Sequence, residues 1–589
     1  MKLDRAAQPP STPADCECDV LVIGSGVGGL SAALTAGLRG LQTIVAEKAD
    51  VYGGTSIWSG GWIWIPCNDM AQRDEVDDSL DKARLYLRER LGPQYDPALV
   101  DAYLEAGPRM LREYARETPV QFEPAGYIFP DYHPETPGSL HGAGQSRSLR
   151  PVAFNGRQLS RDTARNMRPM LRQLTLSGML IGSLVEAQHF INASRSLTSA
   201  RYVLRKTLRY IADRIRYGRD MSLVNGMALI ARHVSGLERL GVPIWVGAPA
   251  VELIVEGGEV RGAVLEQRGK RIHVRTNRGV VLACGGFPHD EQRKSKFYSH
   301  VAAGAQHYGI APPTNTGDGL TLGERAGGSV VEGRPWNCLF MPASRIPGTS
   351  VIPAVFPHIW DRSKPGFIAV TPDGRRFVNE AAPYMMFGQA MVDASQGKAD
   401  VRAWLICDHA AIHRYGLGLA RPMLPLWPHL RSGYLVSGPT IDDLARRIAV
   451  PEETLRTTIA EYNEDARRGV DTKFGKGADP FSRFQGDPDV KPNPNMAPLA
   501  QGPYFAVEIF CADFGTFTGL RTNAHAQVLD RETGEPIRGL YAAGNDMAMM
   551  MGSHSVGGGI TLGPAMVFGY IAACHLAARS SLDEAAHCA

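Results

Sequence analysis

The apolar runs at the start of the chain predict a strand, a tight turn, a helix and a second strand. Asp19–Ile23 reads DVLVI, an apolar run that is typical of a strand buried on both faces. The turn GSGVGG follows, and LSAALTAGLRG then carries small and apolar residues at helical spacing. TIVAEK, from Thr43, has the pattern of another buried strand. This order predicts one βαβ unit of a doubly wound parallel sheet.

The same patterns divide the rest of the chain. AVELIVEGGEVRGAVLE predicts a hairpin around Gly257–Gly258, while GVVLACGGF and GLYAAGN predict further buried strands. A long middle stretch contains many prolines and mixed elements, as an inserted domain would. We therefore expect a tail over 1–17, a nucleotide-binding domain over 18–298 and 501–589, and the inserted domain over 299–500.

A helical insertion is expected over 160–220, and its second half is basic and amphipathic. Arginines occur throughout residues 195–219 and are interleaved with Tyr202, Val203, Leu208, Ile211 and Ile215. A helix of this kind can lie on an anionic membrane with its long cationic side chains extending to the headgroups. A solvated helix face or a contact between subunits fits the same pattern. Peripheral membrane contact is therefore an expectation with two alternatives beside it.

Composition limits the classes of protein to which the chain can belong. Its 589 residues and 44% hydrophobic content suffice for two or three packed domains. The 63 basic residues nearly balance the 60 acidic residues, which argues against a nucleic-acid partner. The nine cysteines lack the spacing of a zinc site or of a disulfide framework, so we expect no metal and a reducing, cytoplasmic compartment. The sequence shows no apolar signal region and no apolar run of transmembrane length.

The first turn predicts a dinucleotide site. Gly24, Gly26 and Gly29 stand at GxGxxG spacing, where they allow a tight turn, close approach of the backbone to a pyrophosphate, and packing of helix on strand. The helix that follows directs its free N–H groups at the phosphates. Glu47 ends the next strand, where a carboxylate can bind a ribose hydroxyl.

A second glycine cluster favours FAD over NAD. VYGGTSIWSGGWIWIP follows Glu47 closely and lets the backbone run along an extended cofactor. The ordered motifs EK, GGTS, SGG, LACGGF, NTGDG and GLYAAGN resemble those of the flavoprotein family of fumarate reductases and 3-ketosteroid dehydrogenases. The resemblance runs from about residue 18 to residue 578 and is weakest over 160–220.

This resemblance implies an α/β fold, with a Rossmann-like FAD-binding domain and an inserted α+β catalytic (capping) domain. It implies non-covalent FAD, since no histidine stands clearly where attachment is expected. The cofactor-binding residues that we predict are Gly24, Gly26, Gly28, Gly29, Glu47, Lys48, Gly54, Thr55, Ser56, Ser59, Gly60, Gly61, Val251, Gly285, Asp318, Gly544, Asn545, Gly559 and Leu562.

The family divides by the residue that faces the flavin. Fumarate reductases use an arginine four residues after RFVNE, whereas the residue here is Tyr384. They carry a histidine before T-x-GGL to hold a substrate carboxylate, and Gly515 occupies that position here. Their late arginine is also missing from GSHSVGGGITLG. Three groups that handle carboxylates are absent together, which disfavours a dicarboxylate substrate.

The chain resembles the 3-ketosteroid Δ1-dehydrogenases instead. NEAAPYMMFG, FPDYH (Phe129–His133) and GITLGPAMVF match their motifs. The resemblance implies that Tyr384 is the base, Tyr132 its hydrogen-bonded partner and Gly559 a backbone donor to the ketone oxygen. The steroid enzymes also have a tyrosine four residues before that glycine, where this chain has Ser555. Ser555 still carries a donor, and His554 could substitute for it.

The predicted chemistry is FAD-dependent α,β-dehydrogenation of a cyclic ketone. A Cα proton is weakly acidic, so a tyrosinate suits its removal better than a carboxylate does. We expect Δ1-dehydrogenation of a 3-ketosteroid, with a hydrophobic ketone as substrate and a quinone or dye-like external electron acceptor. Three alternatives stay open: a non-steroid cyclic ketone of the cyclohexanone type, an ene-reductase, and an electron-carrying flavoprotein without a substrate of its own.

Overall fold

The computed structural model describes residues 16–125, 130–141, 146–182, 186, 189–190, 193 and 196–579. Most of the predicted tail, Phe129 of the FPDYH motif and several residues of the insertion lie outside the described residues.

The described residues form strands and helices that we number in chain order. The strands are β1 Cys16–Ile23, β2 Thr43–Ala46, β3 Ile63–Trp64, β4 Phe122–Pro124, β5 Ser148–Pro151, β6 Phe154–Asn155, β7 Ser222–Leu223, β8 Ile244–Trp245, β9 Ala250–Glu256, β10 Glu259–Gln267, β11 Lys270–Leu282, β12 His307–Gly309, β13 Cys338–Arg345, β14 Val355–Pro357, β15 Phe367–Val370, β16 Arg402–Cys407, β17 Val436–Gly438, β18 Tyr504–Thr516, β19 Gln527–Leu529 and β20 Pro536–Ala542. The helices are α1 Val27–Leu38, α2 Asp69–Arg73, α3 Leu80–Leu91, α4 Pro97–Glu117, α5 Arg161–Asn166, α6 Leu197–Tyr217, α7 Asn225–Leu240, α8 Glu291–Phe297, α9 Ser299–Ala302, α10 Asp318–Arg325, α11 Tyr384–Ala394, α12 His409–Tyr415, α13 Trp427–Arg431, α14 Ile441–Arg447, α15 Glu452–Arg468, α16 Pro480–Gln485 and α17 Leu562–Ala578.

The first sheet is doubly wound around β1. Five parallel strands run in the order β20, β11, β1, β2, β8, and β19 pairs with the β20 edge in the antiparallel sense. The predicted βαβ unit is confirmed, because α1 connects β1 to β2. The predicted hairpin is also confirmed, since β9 and β10 pair antiparallel across the two left-handed residues Gly257 and Gly258.

The two ends of the chain meet on this sheet. Helices α1 and α17 pack closely, and the Ser31 hydroxyl donates to the Met566 carbonyl over 2.7 Å. A side chain at Gly569 would overlap the carbonyl of Gly28, so the helices need this pair of glycines to approach so closely. The sheet therefore brings the first and last glycine motifs to one edge.

The second sheet supports the helix that begins at Tyr384. Its order is β14, β13, β18, β16, β15, with β12 and β17 pairing to β18, and α11 packs on β13 and β18. The predicted boundary between 500 and 501 is wrong for β18, because this strand is the centre of the second sheet. Residues 312–331 return to the first domain, where Val330 bridges to Leu520 and Gly328 to Asp530.

The insertion is helical only in part. Helices α5 and α6 are present, but residues 167–182 lack the helix predicted for them and form 3₁₀ turns and extended segments. In α6 only Ser199 and Asp213 are buried. None of the helices in the described portion of the chain is both long enough and apolar enough to cross a membrane.

A buried ion network holds the segment that leads into α11. Arg376 forms a bidentate pair with Glu380, with both N–O distances at 2.8 Å, and a second pair with Asp471 at 3.1 and 2.8 Å. The Lys476 ammonium lies 3.4 Å from Glu380 and donates to the Phe367 carbonyl over 2.6 Å. All four side chains are at most 4% exposed. Two positive and two negative side chains thus neutralise each other in a place where water cannot solvate them.

We expect Arg376→Met to lower the free energy of unfolding by about 3–5 kcal/mol, because it leaves two buried carboxylates with Lys476 alone. Urea unfolding of the purified protein measures this change. Arg375→Met is the matched control, since its side chain is 72% exposed and lies 3.8 Å from Asp373. Equal effects of the two substitutions would show that the network adds nothing to stability.

Candidate active site

A single cavity joins most of the residues predicted to bind the cofactor. Gly559, Tyr132 and Tyr384 line this cavity. Of the eighteen other residues predicted to bind the cofactor, sixteen line it as well. These sixteen are Gly24, Gly26, Gly28, Glu47, Lys48, Gly54, Thr55, Ser56, Ser59, Gly60, Gly61, Gly285, Asp318, Gly544, Asn545 and Leu562.

The glycines of this cavity let backbone segments approach one another. Gly24 has a φ of +109°, and a side chain there would overlap the Ala283 carbonyl. A Cβ on Gly28 would lie 3.0 Å from the Gly544 nitrogen, and one on Gly54 would lie 3.2 Å from the Gly26 Cα. The turn after β1, the second glycine cluster and the C-terminal tip therefore form one cradle of bare backbone, which fits an extended dinucleotide.

Glu47 is fixed at the end of β2. Its carboxylate accepts from the Ser25 N–H over 3.1 Å, from the Ser25 hydroxyl over 2.5 Å and from the Ala49 N–H over 2.8 Å. These donors orient the carboxylate toward the cavity that it lines, and its remaining lone pairs are available to a ribose hydroxyl.

Two predicted cofactor residues from distant motifs form an ion pair. The Lys48 ammonium lies 2.7 Å from the Asp318 carboxylate and 2.7 Å from the Thr316 hydroxyl. The pair links the end of β2 to the start of α10, so it fastens the NTGDG segment beside the cavity.

Asp546 connects two of the predicted flavin segments. Its carboxylate accepts from the Cys284 N–H over 2.5 Å and from the Gly286 N–H over 3.0 Å. Burial raises the pKa of Asp546 to about 6. The neighbouring Asn545 lies against Gly515, where any Cβ would overlap its amide nitrogen. Gly515 stands where the reductases have their histidine. The space that a side chain at 515 would need is thus filled by the side chain of Asn545, a predicted cofactor residue.

Tyr384 and Tyr132 lie at the end of the cavity formed by the second sheet. The Tyr384 ring makes an edge contact with Phe514 at 5.9 Å between centroids, and the Tyr132 ring packs on Phe481 at 4.6 Å. The other apolar lining residues from this sheet and its loops are Leu339, Ile359 and Trp360.

The surroundings of the two tyrosines affect how readily each of them ionises. Burial raises the pKa of Tyr384 to about 12, and the positive charge of Arg362 opposes that rise. Burial raises the pKa of Tyr132 well above its usual value, and the nearby Tyr384 raises it further. Burial thus opposes the ionisation of both phenols, and the positive charge of Arg362 favours it in both.

The segment around Tyr132 is clamped from both sides. Asp131 pairs with the buried Arg147 at 2.6 Å, and Arg147 pairs with Asp78 at 2.6 Å. The Tyr132 N–H donates to the Val556 carbonyl over 3.1 Å. The segment before Gly559 therefore holds the backbone of Tyr132 directly.

Gly559 lies on β3. It has a φ of +101°, and a Cβ there would come within 2.5 Å of the Ile63 Cα. Both the left-handed conformation and the close approach exclude any other residue at this position.

Ser555 and His554 are not among the residues that line the cavity, and their role as ketone-binding donors stays a prediction. The Ser555 carbonyl lies 3.1 Å from the His133 ring nitrogen, and the His554 N–H donates to Met551. Gly29 and Val251 do not line the cavity either. Gly29 packs under the Gly24 carbonyl, as its predicted role in helix packing requires, and Ala250 lines the cavity in place of Val251.

Some lining residues gave no signal in the sequence. Arg168 comes from the stretch of weakest resemblance, and its guanidinium lies over the Trp58 ring at 5.5 Å. Phe514 could have been found, because it directly precedes the position where the reductases have their histidine.

Among the described residues, one cluster has the chemistry of metal ligands. His307, Cys338 and Asp513 are all buried in the second sheet. A ring nitrogen of His307 lies 2.7 Å from Asp513 and its other nitrogen 2.9 Å from His300, so the imidazole already has two hydrogen-bond partners.

Curated relatives cover nearly the whole chain. The 4-oxocyclohex-2-ene-1-carboxylate 5-dehydrogenase of Sinomonas cyclohexanicum is 36% identical over 96% of this chain and 95% of its own length. The 3-oxosteroid 1-dehydrogenase of Mycobacterium tuberculosis is 35% identical over 95% of this chain and 98% of its own.

A solved structure agrees with them. The 3-ketosteroid delta1-dehydrogenase of Sterolibacterium denitrificans, in complex with 1,4-androstadiene-3,17-dione, is 33% identical, with a TM-score of 0.86 over 95% of this chain and 99% of that one. Residues 19–562 match the family model described as FAD binding domain, and this chain therefore belongs to that family of FAD-dependent flavoproteins.

Proposed function

We propose that the chain is a dehydrogenase that introduces a double bond next to the carbonyl of a cyclic ketone, with a 3-ketosteroid as the favoured substrate. The observation that carries the proposal is that two half-buried tyrosines, Tyr384 and Tyr132, line the same cavity as the FAD cradle and Gly559. A dehydrogenase needs a base, a hydride acceptor and a donor for the carbonyl oxygen at one place.

Each residue has one task in this reaction. Tyr384, once ionised, takes the proton from Cα, and Tyr132 donates a hydrogen bond to the Tyr384 oxygen. The Gly559 N–H donates to the ketone oxygen, on which negative charge develops in the transition state. The glycine cradle around Gly24 and Gly54 would hold FAD, which would supply the hydride acceptor for Cβ. The protonated Tyr384 then returns its proton to solvent.

The apolar lining favours a steroid over a ring that carries a carboxylate. Leu339, Ile359, Trp360 and Phe514 offer dispersion contacts and no charge. Among the described lining residues the cations are Lys48, which is paired with Asp318, and Arg168, whose charge acts on Glu47. Both lining cations thus already have a carboxylate near them. A cyclohexanone-type ketone is the second candidate, because one relative is named for such a substrate.

The electrons leave through an external acceptor, for which we propose a quinone or a dye-like molecule. The ene-reductase alternative uses the same site in the opposite direction. Turnover with an oxidised dye, compared with turnover with a reduced dye, distinguishes the two directions.

We also propose that α6 contacts an anionic membrane. Leu204, Leu208, Ile211 and Ile215 follow one face of the helix and are 47% to 83% exposed. Arg201, Arg205 and Arg209 flank this face, and no ion pair is found for them within the described residues. Unpaired cations beside exposed apolar side chains match a surface of anionic lipid.

We expect Tyr384→Phe to slow flavin reduction by 4-androstene-3,17-dione by about 10²- to 10⁴-fold, because the base is removed. Anaerobic mixing that follows bleaching of the oxidised flavin measures the rate. The wild-type rate should rise with pH, since only the ionised phenol accepts a proton and its pKa of about 12 lies above the assay range.

Tyr415→Phe is the control for this experiment, because the Tyr415 hydroxyl donates to Asp487 away from the cavity. If no cyclic ketone bleaches the flavin while fumarate oxidises its reduced form, the proposed reaction is wrong. If Tyr384→Phe leaves every rate unchanged, the chain is an electron carrier.

We expect Gly515→Ala to weaken FAD binding roughly tenfold, because a Cβ at 515 displaces the Asn545 amide from its position. Quenching of flavin fluorescence on titration of the apoprotein measures the affinity. Gly333→Ala is the control, since Gly333 is also left-handed but has open space around its Cα. An unchanged affinity in Gly515→Ala would mean that Asn545 does not contact the cofactor.

We expect the combined change of Leu208, Ile211 and Ile215 to serine to reduce binding to phosphatidylglycerol vesicles by at least about tenfold, since apolar area is lost. Cosedimentation measures binding, which should also weaken with salt. Serine at Leu85, Val255 and Val470 is the matched control, because these exposed apolar residues lie elsewhere. Self-association through α6 without vesicle binding would favour a subunit contact.

A further inference from the structure

The peptide bond between Gly558 and Gly559 is anchored from one side by a buried serine. The Ser148 hydroxyl donates to the Gly558 carbonyl over 2.8 Å, although the two residues are 410 positions apart. Ser148 is 1% exposed and is not among the cavity-lining residues, whereas Gly558 and Gly559 both line the cavity. The hydroxyl therefore holds the peptide from behind.

The direction of the Gly559 N–H follows from this bond. The peptide is trans, because the cis bonds of the described residues are three others, each before a proline. In a trans peptide the carbonyl and the following N–H point in opposite directions. The Gly558 carbonyl faces Ser148, so the Gly559 N–H faces away from it, into the cavity. No described group accepts a hydrogen bond from this N–H.

The serine itself is held by a rigid platform. Ser148 pairs with Trp64 across β5 and β3, and its N–H donates to the Ser146 hydroxyl over 3.0 Å. The Gly559 Cα lies against Ile63 of the same β3 strand. Trp64 is fixed in turn by its indole N–H, which donates to Asp131 over 2.9 Å. The Gly558–Gly559 peptide and Ser148 are thus both supported by the paired strands β3 and β5.

We propose that Ser148 is a positioning residue that aims the Gly559 N–H at the carbonyl oxygen of the substrate, an inference that rests on the proposed function. A donor that is already oriented needs no reorganisation when negative charge develops on that oxygen. Without the hydroxyl, the Gly558 carbonyl loses its partner in a buried place and the peptide can rotate. The loss falls on the transition state, so kcat and kcat/KM should decrease together while KM changes little.

The experiment compares Ser148→Ala, Ser148→Cys and Ser148→Thr in the FAD-loaded enzyme. A series of substituted phenols serves as the probe, because a bound phenolate carries its negative charge where the enolate oxygen would. The charge-transfer absorbance between the phenolate and the oxidised flavin gives the apparent pKa of the bound phenol. A purely structural role for Ser148 would not move this pKa.

In Ser148→Ala we expect the apparent pKa of the bound phenol to rise and kcat to fall roughly 10- to 100-fold, less than on removal of an oxyanion donor. Ser148→Thr should restore both, since it keeps the hydroxyl. If the alanine variant does not fold, the comparison of cysteine, a weak donor of similar size, with threonine gives the same contrast. Thr118→Val is the control, because it removes another buried hydroxyl that donates to a carbonyl.

The outcomes separate the two proposals. If the wild-type enzyme neither binds phenolates nor oxidises a cyclic ketone, the proposed function fails. If the wild-type enzyme does both, and neither alanine nor cysteine at 148 changes the phenol pKa or kcat relative to threonine, Ser148 does not position the donor and this inference is overturned.

Discussion

The proposed reaction depends on a phenol, that of Tyr384, which is half-buried and must still ionise. Burial among apolar side chains opposes the charge that Tyr384 carries as a base. Arg362 supplies the compensating positive charge. It is itself buried, with its guanidinium donating to the His358 carbonyl over 2.9 Å and to the Glu380 carbonyl. The positive charge of Arg362 lowers the pKa of the nearby Tyr384 phenol and so opposes the effect of burial.

The surrounding structure keeps Arg362 and Tyr384 in place together. The Arg362 guanidinium lies over the Phe387 ring at 5.3 Å, and Phe387 belongs to the first turn of the helix that Tyr384 begins. Glu380, whose carbonyl Arg362 contacts, is bound through its carboxylate to Arg376. The buried ion network, the electrostatic cation and the base are therefore consecutive parts of one assembly, and a shift in any of them changes the acidity of the phenol.

Sequence could predict the parts of this site that depend on local conformation. A glycine turn after a strand imposes its geometry within a few residues, and all the predicted cofactor residues from Gly24 to Gly61 except Gly29 line one cavity. Arg168, Arg362 and Ser148 have no such local pattern, because their roles arise from contacts with segments distant in the chain. Ser555 shows a related limit, because spacing along the chain places it near Gly559 but does not tell whether it lines the cavity, and in the structure it is not among the lining residues.

The position of Ser555 outside the cavity lining affects how the ketone oxygen of the proposed substrate would be bound. The steroid enzymes have a tyrosine four residues before the donor glycine, and this chain has Ser555, which is outside the lining. Under the proposed function, the Gly559 N–H would then supply more of the oxyanion stabilisation than it would beside a phenol. Such a donor cannot adjust by side-chain rotation, so its direction has to be set by the bonds of its own peptide. With Ser555 at this position, the proposed reaction would therefore depend more strongly on the Ser148 hydroxyl behind Gly558 and on Gly559, which lets the peptide pack against β3.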